Sequence, residues 1–61
     1  MNKIYKPKEV AEILNVGYNK VLDMIHLGQL SAYKIGGEYR ISDQQILRYL
    51  HNVRVKSPWV K

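Results

Sequence analysis

The chain predicts a mostly α domain with one small β-hairpin, and three observations predict it. Residues 6–30, KPKEVAEILNVGYNKVLDMIHLGQL, hold two apolar-periodic stretches around Asn15-Val16-Gly17. Residues 31–42, SAYKIGGEYRIS, alternate on either side of Gly36-Gly37. Behind Ser42 the period becomes helical again. The order is helix, turn, helix, two-stranded wing, third helix.

The first helix starts at Pro7, whose missing N–H costs nothing at a first helical position. Glu9 favours the positive end of the helix dipole. Val10, Ala11, Ile13 and Leu14 make one apolar arc, and Lys8, Glu9 and Glu12 fall opposite. The cap position holds Lys6 rather than Ser, Thr or Asp. The start is therefore expected to fray by about 1 kcal/mol. Ahead of it, Ile4 and Tyr5 read as a short packed lead-in. Asn15 tolerates the left-handed conformation that ends a helix. Val16 is expected to be buried between the helices, and Gly17 is a weaker cap for the next one.

The second helix is expected over 18–27. At helical spacing Val21, Met24 and Ile25 face inward, with Tyr18 and Leu22 on the flank. Asn19, Lys20, Asp23 and His26 form the outward stripe. Gly28 ends the helix and Leu30 turns back into the core.

Two hairpin registers compete. A two-residue loop puts Ile35 and Ile41 on opposite faces. A three-residue loop over 36–38 puts Tyr33, Ile35, Tyr39 and Ile41 on one face and Lys34 and Arg40 on the other. One-sided burial favours the second, although Glu38 then occupies a loop position that usually prefers Gly. Ser42 and Gln45 form a capping box for the third helix. There Ile46, Leu47, Tyr49, Leu50 and Val53 cover one arc, against Gln44, Gln45, Arg48, His51 and Asn52. Ser57-Pro58 ends any helix. The domain is expected over 1–53, with 54–61, RVKSPWVK, as a basic tail.

Sixty-one residues make one domain at most. A chain this short buries only about 60% of the surface its unfolded form exposes. It has no cysteine, so no disulfide or thiolate metal site staples it. His26 and His51 lack metal-ligand spacing. Ten Lys and Arg against five Asp and Glu give +5, a field that attracts polyanions. No apolar run approaches the ~20 residues of a membrane span. The basic start MNKIYKPK lacks a secretory apolar region, so a cytoplasmic protein is expected. No nucleophile–base pair, carboxylate set or phosphate-cradling loop points to an enzyme. Neither a cofactor nor a small-molecule ligand is expected.

Physically, Asn19 can pair with adenine, Lys20 can reach guanine or a phosphate, and Asp23 can accept from cytosine. Lys3, Lys6, Lys8, Lys34, Arg40 and Arg54 are candidates for phosphates, which supply affinity without sequence information. The bland readings are a solvated polar face for Asn19, Lys20 and Asp23, and plain surface for His26 and His51. Tyr33 and Tyr39 read as wing packing. Trp59 between Lys56 and Lys61 makes the tail either a solvated end or a partner-binding segment.

The motifs P-x-E-V-A-E-I-L-N-V, then K-V, then G-x-L-x-A-Y-K-I-G-G-x-Y-R-I, then I-L-x-Y-L are similar to the excisionase-like helix-turn-helix family. These are small winged-helix domains related to the DNA-binding module of MerR-type regulators. The resemblance spans about residues 5–51 and is most specific from Gly28 to Ile41. It implies a winged helix-turn-helix in which the second helix enters the major groove and the wing rests on the neighbouring backbone. It places Tyr18, Asn19, Lys20 and Asp23 at recognition positions, and Lys34, Gly37 and Arg40 at wing positions. Two departures stand out. Gly17 replaces the usual Ser or Thr, and Glu38 replaces the usual Arg or Lys and would repel phosphate.

The resemblance implies a DNA-binding protein. The first expectation is an excisionase that binds and bends attachment-site DNA, recruits integrase and contacts further copies of itself. Sixty-one residues leave no room for the dimerisation helix and effector domain of a MerR-type regulator. The alternatives are a small phage or plasmid transcription regulator, and an interaction module that binds no DNA.

Overall fold

A computed structural model describes residues 3–55. Its elements are β1 (Ile4–Tyr5), α1 (Pro7–Leu14), α2 (Tyr18–His26), β2 (Tyr33–Ile35), β3 (Glu38–Ser42) and α3 (Asp43–Val53). The strands form one antiparallel sheet in the order β1-β3-β2. This is the expected winged helix-turn-helix, with one strand more than the sequence revealed. The lead-in at Ile4 and Tyr5 pairs with Ser42 and Ile41. A two-residue strand leaves no periodicity to read, and only a partner edge makes it a strand.

Local chemistry accounts for the helix ends. Lys6 provides no side-chain cap. Its own N–H instead donates to Glu9 Oε1 at 2.8 Å, so Glu9 covers part of the expected fraying. Asn15 takes φ 57 and ψ 47, and the Val16 N–H returns to the Ala11 carbonyl at 2.9 Å. Val16 corrects the expectation of burial: it is 38% exposed. The turn uses its backbone, and its side chain stays at the rim. Gly17 caps α2 with φ −71. Nothing lies within 4 Å of a Cβ built there, so glycine is tolerated at this position and not required. After α2, the Gln29 and Leu30 N–H groups both return to the Met24 carbonyl. That closure drives Leu30 into the core.

The hairpin corrects the expected register. Tyr33 pairs with Arg40, Lys34 with Tyr39, and Ile35 with Glu38. The loop is therefore the two residues Gly36 and Gly37, at φ 61 and φ 82. Two consecutive positive φ values are what a two-residue hairpin turn demands, and its twist matches the strands. The three-residue loop would have required Glu38 in the left-handed region. One-sided burial does not decide here, because the wing projects from the body: β2 is exposed along its whole length. Tyr33 and Ile35 pay no heed to the core and remain more than half exposed. Lys34 and Arg40, expected on one face, sit on opposite faces.

Val10, Ala11, Val21, Met24, Leu30, Ile41 and Ile46 form the core, with Tyr5, Leu14, Ile25, Ala32 and Tyr49 packed around it. The apolar arcs of α1 and α3 are only partly covered. Ile13, Leu47, Leu50 and Val53 remain exposed, because three short helices and a narrow sheet cannot enclose every apolar face. The capping box of α3 forms as expected: the Gln45 N–H donates to Ser42 Oγ at 3.2 Å, and the Ser42 N–H to Gln45 Oε1 at 2.9 Å. At the other end of α3, Arg54 folds back and donates to the His51 carbonyl at 2.9 Å.

Asp43 ties β1 to α3. Its Oδ2 accepts from the Lys3 N–H at 3.1 Å, and its own N–H donates to the Lys3 carbonyl. The Lys3 backbone bond, followed by a Tyr5 hydroxyl bond, holds its carboxyl below the ordinary value. The Tyr5 hydroxyl moves up for the reciprocal reason.

Two stability predictions follow from these ends. Ser42→Ala should cost about 1 kcal/mol, lowering the melting temperature by roughly 4–8 °C. Gly17→Ser should raise stability by a few tenths of a kcal/mol, since the new hydroxyl caps α2 without a clash. Asp43 sets a pH dependence. Its folded-state pKa is depressed, so its contribution is present above the unfolded value and lost as pH falls through the folded one. Thermal melts should show Asp43→Asn below the parent at neutral pH, and the gap should close on acidification past the ordinary carboxylate range.

Candidate nucleic-acid interface

The outer stripe of α2 is where the sequence placed it. Asn19, Lys20 and Asp23 are exposed and share one face of the helix. Tyr18 at the first turn is 44% exposed. Val21 and Met24 are sealed beneath them, so the stripe points away from the core because the opposite face cannot leave it.

The wing stands beside this helix. Tyr39 sits edge-on to His26, with ring centroids 5.9 Å apart and planes at 66°. The Lys34 ammonium lies 5.4 Å from the other partner of that contact, the Tyr39 ring centroid. His26, Tyr39 and Lys34 thus run from the last turn of α2 onto the wing. An edge-to-face pair contributes about 0.5–1.5 kcal/mol beyond its buried area. Sequence reasoning passed over His26 and Tyr39 as surface and packing. The available signal was the position of His26 one turn beyond Asp23 on the outward stripe. What faced it required the fold.

A groove opens between the first turn of α1, α2 and the wing tip. Lys6, just ahead of α1, and Lys8 within it line one side, Tyr18 and His26 line it from α2, and Gly37, Glu38 and Arg40 from the wing. Five candidates from three separate stretches, Lys6, Lys8, Tyr18, Gly37 and Arg40, therefore meet on one surface. The groove carries three basic side chains, Lys6, Lys8 and Arg40, to one carboxylate, Glu38, so its field is positive.

That carboxylate is spoken for. Arg40 Nη2 donates to Glu38 Oε1 at 2.8 Å, and Arg40 Nη1 donates to the Tyr39 carbonyl at 2.8 Å. The Arg40 bond and charge, with Lys6 adding to them, hold the Glu38 carboxyl below its ordinary value. Arg40 is oriented by these bonds, and a phosphate would have to compete with Glu38 for it. The pair is exposed on the Glu38 side, where such bridges contribute little to stability.

Two candidates fall elsewhere. Lys3 extends over the Tyr5 ring at 5.4 Å, at the junction of β1 with α3. Arg54 is occupied at the C-terminus of α3 by the His51 carbonyl and ring. Neither lines the groove. Lys56, Trp59 and Lys61 lie outside the described residues. Among the described residues no cluster of His, Asp or Glu could hold a metal ion, and no helix is long and apolar enough to cross a membrane.

Comparison with known proteins agrees with this architecture. A family model described as a helix-turn-helix domain matches residues 4–54. The chain is 35% identical over 54 residues to the uncharacterized protein YvgK of Bacillus subtilis, covering 88% of this chain and 18% of that one. It is 32% identical over 50 residues to the magnetosome protein MamR of Magnetospirillum gryphiswaldense, covering 82% of this chain and 60% of that one. The chain thus spans less than two thirds of either relative. No solved structure gives a significant match. With the helix-turn-helix, the paired wing and the family match in hand, the chain belongs to the helix-turn-helix family of small excisionase-like, MerR-type DNA-binding domains.

Proposed function

We propose that this domain binds duplex DNA sequence-specifically, with the start of α2 in the major groove and the wing on the flanking backbone. One observation carries the reading. Lys6, Lys8, Tyr18, Gly37 and Arg40 share a positive groove next to the exposed stripe of Asn19, Lys20 and Asp23. A helix fits the major groove, and side chains near its N-terminal end reach base edges. Asn19 then reads adenine, Lys20 guanine or a phosphate, and Asp23 cytosine; a good base pairing discriminates by about 1–3 kcal/mol. Lys6, Lys8, Lys34 and Arg40 serve the phosphates. Lys3 and Arg54, engaged elsewhere, are left out of the contact set.

Within that reading the domain acts as a recombination directionality factor of a phage or mobile element. Its membership of an excisionase-like family supports this. It has no reaction to catalyse. It binds and bends attachment-site DNA and recruits integrase. A single module makes an interface of only about 600–1,000 Å², so specificity draws on neighbouring copies or on the integrase. A mobility-shift assay on attachment-site DNA tests it. Cooperative shifts that strengthen with integrase support the role, whereas one isolated operator over a promoter, indifferent to integrase, assigns a transcription regulator instead.

The contact set makes two further predictions. Asn19→Ala should flatten sequence preference more than it weakens non-specific binding, while Lys34→Ala should weaken all sequences alike and lower the salt slope by about one. Equal loss on every sequence with Asn19→Ala would remove that residue from the reading face. Glu38→Gln should raise affinity for every duplex severalfold and steepen the salt dependence, because it frees Arg40 and deletes a repelling charge. Its melting temperature should barely move, as expected for an exposed pair; unchanged binding would place the wing tip off the DNA.

A further inference from the structure

Away from the basic groove, α1 and α3 leave a second depression whose chemistry is different. Ile13 of α1 lines it together with Asp43, Leu47 and Leu50 of α3. Ile13 is 51% exposed, Leu47 64% and Leu50 42%. Single exposed leucines are ordinary, but contiguous apolar side chains in a concave surface mark a contact site. The order of residues along α3 says what fits there. Asp43, Leu47, Leu50 and Arg54 follow one another at intervals of four, three and four. That is the spacing of a seam by which one helix packs against another, and it puts all four on one side of the helix. Asp43 opens α3 and Arg54 is its C-cap. The seam is therefore negative at one end, apolar in the middle and positive at the other. Arg48 falls on the opposite arc and stays clear of it.

We propose that this face of α3 pairs with the same face of a second copy, the two helices antiparallel about a two-fold axis. The inference does not depend on the DNA reading, since the basic groove and the stripe on α2 take no part. A two-fold contact needs a patch that complements itself, and this seam does so when reversed. Leu47 then meets Leu50 of the second copy, and Asp43 meets its Arg54, each twice. A parallel pairing would set Asp43 against Asp43 and Arg54 against Arg54, so charge selects the antiparallel one. Both ends have the means to pair. Asp43 is partly exposed, and a carboxylate offers about four acceptor sites, more than the Lys3 N–H and the Tyr5 hydroxyl use. Arg54 is exposed, and both of its contacts with His51 use Nη1, whereas a guanidinium has N–H donors beyond that nitrogen. Ile13 of each copy widens the apolar middle. Asp43 and Arg54 stand about 16 Å apart along the helix, so the contact is smaller than the ~800 Å² per partner of a stable interface. The dimer is accordingly weak and forms at high protein concentration.

Analytical ultracentrifugation of the full chain without DNA, from micromolar to millimolar protein, should show a reversible monomer–dimer equilibrium. Arg54→Glu sets two carboxylates together at each end of the contact and should weaken association by roughly tenfold or more. Its circular dichroism should match the parent's, because Arg54 lies outside the core. The chain has no cysteine, so introduced thiols report the register. Leu47→Cys and Leu50→Cys, both at exposed positions, should form disulfide-linked dimers severalfold faster as an equimolar mixture than either does alone. A monomer at every concentration overturns the proposal and leaves the face to another protein or to the chain's own end. Association that Arg54→Glu does not weaken overturns it in favour of a different surface. Thiols that crosslink as fast alone as mixed overturn the antiparallel register.

Discussion

The structure depends on how β3 is shared. Its inner end, Ile41 and Ser42, is buried and paired with β1, while its outer end pairs with β2 to make the wing. Ile41 has no exposed surface at all and packs with Val10, Val21, Met24, Leu30 and Ile46. Ser42, the next residue, caps α3. One strand therefore belongs to the wing, the core and the start of a helix at once. The wing cannot shift against α2 without disturbing Ile41, and a buried side chain of this size typically stabilises a fold by about 1.5–3 kcal/mol. In a chain with so few core residues, that coupling holds the spacing between α2 and the wing, which lowers the ordering cost of binding any ligand that spans both.

Charge is distributed with less economy than the net excess implies. Among the described residues, Lys6, Lys8 and Arg40 line the groove, while other basic side chains have local contacts elsewhere. Arg54 is drawn onto the last turn of α3, and Lys3 onto Tyr5 and the strand β1. At the wing tip Glu38 both orients and occupies Arg40. A phosphate contact there would trade one charge-assisted bond for another. The stripe on α2 and the Lys6 and Lys8 pair carry more of the proposed interface than the wing arginine does.

The two surfaces divide by chemistry. One groove is basic and polar and lies between α1, α2 and the wing. The other is apolar and lies between α1 and α3.

Three helices were legible in the residues because helical burial, capping and termination are local. Pro7, the Asn15 turn, Gly28 and the Ser42 box each act within about one turn of themselves, and each stands where its chemistry placed it. The outward direction of Asn19, Lys20 and Asp23 was legible for the same reason, since Val21 and Met24 define the opposite side. Tertiary structure decided the rest. The hairpin register followed the paired positive φ of Gly36 and Gly37, because a projecting wing has no core to bury against and turn geometry prevails. The strand at Ile4 and Tyr5 exists only because β3 offers an edge. Likewise the meeting of His26 with Tyr39, and of Lys6 and Lys8 with Arg40, joins residues too far apart in sequence for any periodicity to relate them; only chain closure through Ile41 brings them together.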